Sequence, residues 1–410
     1  MTNVIRMNNL CSHAAKRGVK VLVMAVMLAT TVRARVFASD VASSEAIPLL
    51  YDGCTIRIPV TAFGGTRYLI VDTGSTVSGF SEDDLSRLGT PIGDAIGSTL
   101  SGSGTTIKLY HAPEFTIGHT RANLNQVAGL NLGMITQVSG SPCDGVLGID
   151  FLKNYIVTVD FDRHSFTFAK ASKEIKRASI AVPMQRLEGG HVAVEALMNG
   201  EAHVSLMIDT GDNGSLSLSA EPFGRAFHGA AAGRYHSVLA VSGSGSPTRM
   251  SMGEINSLAI GPIRYAGLFA TLLPNPKAPS TIGLRLLRRH IVTLDFPNGV
   301  LYLEPSSLAG ETEHPDMSGL HLLRQDHNVV IFAIDENSSA SDAGVLPGDL
   351  IRSIDGADTG KMTMRDIRRK FKSTDGEKIS LSIKRGAQAK DCILVLKNPF
   401  ARQSPSELHH

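Results

Sequence analysis

The sequence predicts a mostly β protein made of two similar lobes followed by a smaller α+β unit. Three observations carry this prediction. The tetrapeptides Val71-Asp72-Thr73-Gly74 and Ile208-Asp209-Thr210-Gly211 both follow apolar runs, Tyr68-Leu69-Ile70 and Val204-Ser205-Leu206-Met207. A longer segment around each tetrapeptide repeats, with its landmarks in the same order. The 40 glycines stand among many Val, Ile and Thr positions, a composition that suits strands joined by turns.

The repeat sets the lobes. Gly145-Val146-Leu147-Gly148-Ile149 corresponds to Ser280-Thr281-Ile282-Gly283-Leu284, and Ile156-Val157-Thr158-Val159-Asp160-Phe161 to Ile291-Val292-Thr293-Leu294-Asp295-Phe296. Between the acid and these blocks each copy holds Ser-Gly-Ser-Gly, at Ser101, Gly102, Ser103, Gly104 and at Ser242, Gly243, Ser244, Gly245. A period this long is not a solenoid unit, and about 125 residues suffice for one core. The lobes are expected over residues 47–171 and 181–304, with a charged connection near 171–180 and a second linker over 305–316.

The first residues differ from the rest. Arg6, Lys16, Arg17 and Lys20 precede the apolar run Val21 to Val32, and no acid appears before Asp40. A basic start, a short apolar core and the small Ala38 describe a secretory signal over residues 1–38. The run is shorter than the roughly 20 residues a bilayer requires. Arg33 and Arg35 after it keep an uncleaved inner-membrane anchor as the alternative. The mature chain is expected in the periplasm or secreted, with membrane contact only through an uncleaved signal. A net charge of +2, no tryptophan and 5% aromatic residues give no basic or stacking surface for nucleic acid. No Cys-x-x-Cys or His-x-x-x-His spacing suggests a metal, and no cofactor is expected. Cys11 leaves with the signal; Cys54 and Cys143 share a lobe and are read as buried thiols, with pairing as the alternative in an oxidising compartment.

Along the mature chain, Ile56 to Val60 and Tyr68 to Val71 form a hairpin turning at Phe63-Gly64-Gly65. His191 to Leu197 and Val204 to Ile208 repeat it around Asn199-Gly200. Ser81 to Leu88 reads as a short helix capped by Ser81. Thr105 to Tyr110 has strand character, so the Ser-Gly-Ser-Gly stretches are candidate mobile hairpin tips, with plain loops as the alternative.

The last unit has strands at Val329 to Ile334, Ile379 to Ile383 and Ile393 to Leu396, and a helix over Lys361 to Lys372. Its run Ala343-Gly344-Val345-Leu346-Pro347-Gly348-Asp349, followed by Ile354-Asp355-Gly356, resembles a bacterial PDZ domain of the permuted kind found on extracytoplasmic proteases, over residues 318–398. Such domains take an extended peptide as an added strand. The resemblance puts the peptide-binding loop near Ser318, Gly319 and Leu320.

If the two lobes face each other about a pseudo-two-fold axis, Asp72 and Asp209 meet. Two carboxyls that close hold one proton between them, so one can draw a proton from water while the other donates to a peptide carbonyl. Thr73 and Thr210 can bond across to the opposite turn. Gly74 and Gly211 let backbone amides approach the carboxylates, and Ser75 can donate to the outer oxygen of Asp72. This pair of turns, with the later Val146-Leu147-Gly148 and Thr281-Ile282-Gly283, resembles the retroviral-type (retropepsin-like) aspartic proteases, duplicated in one chain. The resemblance implies pepsin/retropepsin-like closed β-barrel lobes, Asp72 and Asp209 as catalytic pair, a polypeptide substrate, a peptide ligand for the PDZ domain and no need of an oligomer to build the site. Asp212 stands where the family commonly has alanine or serine, and is expected to point outward and cap the turn at Asn213-Gly214. Tyr110 lies past the tip where the family's flap tyrosine belongs, and is read as structural. The alternative to an aspartic endopeptidase is a non-catalytic peptide-binding or envelope adaptor protein that keeps the protease fold.

Overall fold

A computed structural model describes residues 45–87, 89–98, 104–170, 179–227, 235–241 and 247–400. The expected signal segment lies outside them, as do Ser101, Gly102, Ser103 and Ser242 to Gly245; Gly104 opens the strand Gly104–His111. Among the described residues no helix is long and apolar enough to cross a membrane.

Both expected hairpins form. Ile56–Ala62 pairs with Gly65–Val71, and Val192–Met198 with Ala202–Ile208. The turns need left-handed backbone at both central positions, and Phe63-Gly64 (φ 52° and 74°) and Asn199-Gly200 (φ 53° and 78°) supply it. In the first lobe the returning strand lies parallel to Gly145–Leu147 inside a ten-stranded sheet; in the second it lies parallel to Thr281–Ile282 inside an eight-stranded one. Each acid therefore leaves its sheet at the end of an interior strand. The hairpin Gly93–Ser98 with Gly104–His111 ends the first-lobe sheet at one edge, and Tyr235–Val241 with Pro247–Ile260 ends the second. Tyr110 is buried in the core, in keeping with a structural role.

A third sheet of six strands takes members from both lobes. Its centre is the repeated block paired with its own copy: Ile156–Asp160 runs antiparallel to His290–Asp295, with Thr158 opposite Thr293. The two hydroxyls are 2.8 Å apart, which places the pseudo-two-fold axis between them. The shared sheet also takes up Ile180–Pro183, so the connection between lobes ends as a strand against Val300–Pro305. One continuous apolar core runs through both lobes, from Ile47 to Leu303, while the last unit has its own, around Leu322, Ile351, Ile367 and Phe371.

Two local expectations change. The helix after Ser81 spans Glu82–Ser86, but the Ser81 side chain makes no capping bond. Three acids in its first turn, Glu82, Asp83 and Asp84, complement the helix dipole instead, and Asp84 is also held by Arg67 at 2.7 Å. The helix expected over Lys361 to Lys372 is shorter, Met364–Lys370, because residues Thr359–Lys361 form a separate 3-10 turn. Its start is capped by Thr363, which accepts from the Asp366 amide at 3.1 Å. Cys54 and Cys143 are free and buried.

Candidate active site

The two Asp-Thr-Gly turns meet at the lobe interface. Thr73 Oγ1 donates to Ile208 O (2.7 Å) and accepts from Thr210 N (3.0 Å). Thr210 Oγ1 returns the pattern, donating to Val71 O (2.7 Å) and accepting from Thr73 N (3.0 Å). All four bonds are buried. Loss of either hydroxyl orphans one amide and one carbonyl, at a cost of about 1–3 kcal/mol per group. The bonds thus hold the lobes in one register, as the sequence led us to expect.

That register sets the acids against each other. Each carboxyl lies against the glycine of the opposite turn, a closeness at which two acids favour holding one proton between them. The turns are packed so closely that a Cβ on Gly74 would lie 2.5 Å from Asp209 Cγ, and one on Gly211 would lie 2.5 Å from Asp72 Cγ. Each glycine therefore has two functions. Its amide donates to the acid of its own turn, at 2.8 Å in both cases, and its bare Cα makes room for the acid of the other turn. The main-chain amides of the acids are also matched: Asp72 N donates to Leu147 O and Asp209 N to Ile282 O, both at 3.0 Å. The hydrophobic-hydrophobic-glycine segments are thus the strands against which the acids are fixed.

Ser75 supports Asp72 by another atom than expected. Its amide donates to Asp72 Oδ1 (3.0 Å), while its hydroxyl turns to Val77 O (2.9 Å). The hydroxyl closes its own turn and leaves the carboxyl to the backbone.

The electrostatics of the pair are unequal. Burial raises the pKa of both acids. For Asp209 the negative charges of Asp72 and Asp212 add to burial and push it well above the carboxylate range. For Asp72 burial is opposed by the Gly74 and Ser75 amides, by the neighbouring Asp209 carboxyl and by His191. The pair titrates as a unit, and the upward push is stronger on Asp209. Asp72 is the half-buried member and Asp209 is 5% exposed, so Asp72 is the one nearer solvent.

Asp212 caps the turn as expected, accepting from Gly214 N at 2.8 Å. Its other oxygen does not point outward: Ser217 and Thr281 both donate to it at 2.7 Å. Thr281 is the residue that breaks the hydrophobic pattern of the second copy, and this bond accounts for it.

Three contributors were not singled out in the sequence. His191 reaches from the second lobe to the first-lobe turn, with Nε2 3.1 Å from Gly74 O and Nδ1 3.1 Å from Glu188 O. Asp150 accepts from Ser78 N (2.9 Å) and Ser78 Oγ (2.6 Å), and so braces the segment after the first turn. The second copy has Arg285 in place of Asp150, and the acceptor comes from the second linker, expected over residues 305–316. Glu313 is buried there, taking the Ser215 hydroxyl and the Phe269 amide (3.0 Å) beside Arg289 (3.5 Å). The lost acid was visible in the repeat; its replacement from outside the lobe was not.

In the last unit, Ser318 and Leu320 are buried. The Ser318 amide donates to Asp316 Oδ1 (2.9 Å) and the Leu320 amide to Ser318 Oγ (3.0 Å), so two of the three amides of the expected peptide-binding loop are already engaged. Gly319, at φ 69°, packs against Ser338.

Comparison with known proteins agrees with this layout. A family model described as aspartyl protease matches residues 58–151, and one described as PDZ domain matches residues 330–385. No curated protein matches the chain. Among solved structures, a retropepsin-like aspartic protease from Rickettsia conorii is similar at 20% identity and a TM-score of 0.25, over 30% of this chain and 89% of that one. The stretch with the first Asp-Thr-Gly turn is thus similar to aspartyl proteases, and the last unit to PDZ domains.

Proposed function

We propose that this chain is an aspartic endopeptidase working outside the cytoplasm, in the periplasm or secreted. The observation that carries the reading is the pair of opposed carboxyls, each against the other turn's glycine, held by four buried cross-lobe bonds. In this mechanism ionised Asp72 takes a proton from a water between the two acids, and the resulting hydroxide attacks the scissile carbonyl carbon. Protonated Asp209 donates to the carbonyl oxygen as it becomes tetrahedral. As the C–N bond breaks, Asp72 hands its proton to the leaving amine and ionised Asp209 takes one back from a hydroxyl of the tetrahedral intermediate, so the dyad returns to one proton. No covalent intermediate and no cofactor enter these steps. The hairpins Gly93–Ser98 with Gly104–His111 and Tyr235–Val241 with Pro247–Ile260 are the candidates for closing over an extended polypeptide.

The test is cleavage of oxidised insulin B chain by the purified protein between pH 3 and pH 7. Discrete fragments are expected in the acidic part of that range. An intact substrate throughout would leave the adaptor reading in place.

The polarity of the pair has its own signature. Hydrolysis requires a proton on Asp209, whose pKa the Asp212 charge raises. Asp212→Asn removes that charge and lowers the pKa of Asp209. The alkaline limb of the kcat/KM profile is therefore expected to move to lower pH, while the acidic limb, set by ionisation of Asp72, moves less. An alkaline limb that stays in place would reverse the assignment of acid and base.

A further inference from the structure

We propose that the peptide-accepting edge of the PDZ domain is an intramolecular interface, closed by the helix Gly133–Ser139 of the first protease lobe. PDZ domains take peptides by strand addition at a free sheet edge. Here the sheet runs Leu320–Gln325, Asn328–Ile334, Leu350–Ile354, Lys378–Arg385, Gln388–Val395. Strand Leu320–Gln325 is at one edge, beside helix Met364–Lys370, with Leu320 and Leu322 in the same core as Met364 and Ile367.

Helix Gly133–Ser139 packs along that edge strand and against the PDZ helix. Its closing residue, Gly140 at φ 68°, is wedged between the two: a Cβ there would lie 2.5 Å from Met364 Cγ and 3.5 Å from Arg324 Cβ. Two basic side chains of the PDZ helix are spent on the lobe. Arg368 donates to the Val138 carbonyl and to Cys54 Sγ (3.2 Å). The Arg365 guanidinium lies 5.4 Å from the Tyr51 ring centroid, with its stem against Gly53. Leu323, on the edge strand but outside the PDZ core, is only 4% exposed. Lys372, just past the helix and half-buried, is pushed down to about 8 by desolvation and by Arg285.

An extended peptide can therefore add to Leu320–Gln325 only after the lobe helix has left. That helix lies between strands Gln126–Leu130 and Gly145–Leu147, and Leu147 O holds the Asp72 amide. Peptide capture and the geometry of the acid are thus mechanically linked, which makes the PDZ domain a regulator of the site before it is a tether. The closure rests on the PDZ fold alone; only its bearing on hydrolysis rests on the proposed activity.

Hydrogen–deuterium exchange on the full chain tests the closure without any assay of cleavage. In the wild type, peptides covering 131–141 and 318–326 are expected to exchange slowly. In Arg368→Glu both should exchange at least tenfold faster, while 378–395 keeps its wild-type rate. Fast exchange of 318–326 in the wild type, or unchanged protection in Arg368→Glu, would overturn the proposal. Should Arg368→Glu also expose 378–395, the domain has unfolded, and Gly140→Leu decides instead. That change wedges the helix off Met364 without altering any PDZ residue, and it must release 318–326 if the closure is real.

Discussion

Asp72→Asn and Asp209→Asn are each expected to lower kcat/KM on oxidised insulin B chain by about a thousandfold or more, within the range of a lost general acid or base. Asparagine keeps the shape and the acceptor oxygen. Gly74 N and Ser75 N can still donate to residue 72, and Gly211 N to residue 209. What disappears is the shared proton, since an amide neither ionises nor protonates in this range. The fold should survive, because burying a neutral amide is less costly than burying a carboxylate. The check is a pair of measurements on each variant: steady-state cleavage and a urea unfolding midpoint. Retention of more than a tenth of wild-type activity by either folded variant would remove the dyad mechanism.

Gly211→Ala and Gly74→Ala should be nearly as damaging, although neither residue carries any chemistry. The new methyl at 211 would stand 2.5 Å from Asp72 Cγ, and the one at 74 the same distance from Asp209 Cγ. Ordinary contact needs roughly 1 Å more, so each methyl must push the opposing acid off its position. A displacement of about 1 Å in a catalytic group costs on the order of a hundredfold. The effect crosses the interface: Gly211→Ala should disturb the acid of the first lobe, and Gly74→Ala that of the second. Gly310→Ala is the control, since nothing lies within 4 Å of its Cβ position. Its kcat/KM should match the wild type. If the two turn variants also match it, the turns are looser than the geometry implies.

Much of the site could be read in advance because its parts are local or repeated. A left-handed pair such as Asn199-Gly200 announces its hairpin from two residues. The duplicated tetrapeptide implied its partner, and symmetry then required Thr73 and Thr210 to cross. The same reasoning failed where a side chain had a choice of partners. Ser75 could reach its own turn or the acid, and the turn was nearer. Asp212 had a turn amide in sequence but two hydroxyls in space, and it took all three.

The sequence by itself determined the two lobes, the opposed acids, the glycines beneath them and the PDZ unit that follows, because each is written in short-range pattern or in repetition. Only the tertiary structure made the surroundings of the two acids unequal, with His191 acting on one and Asp212 on the other. It alone placed Glu313 where the second lobe lacks an acid, and set a lobe helix across the PDZ edge. Charge effects and packing depend on distance in space, and residues far apart in the chain carry no mark of it until the chain has folded.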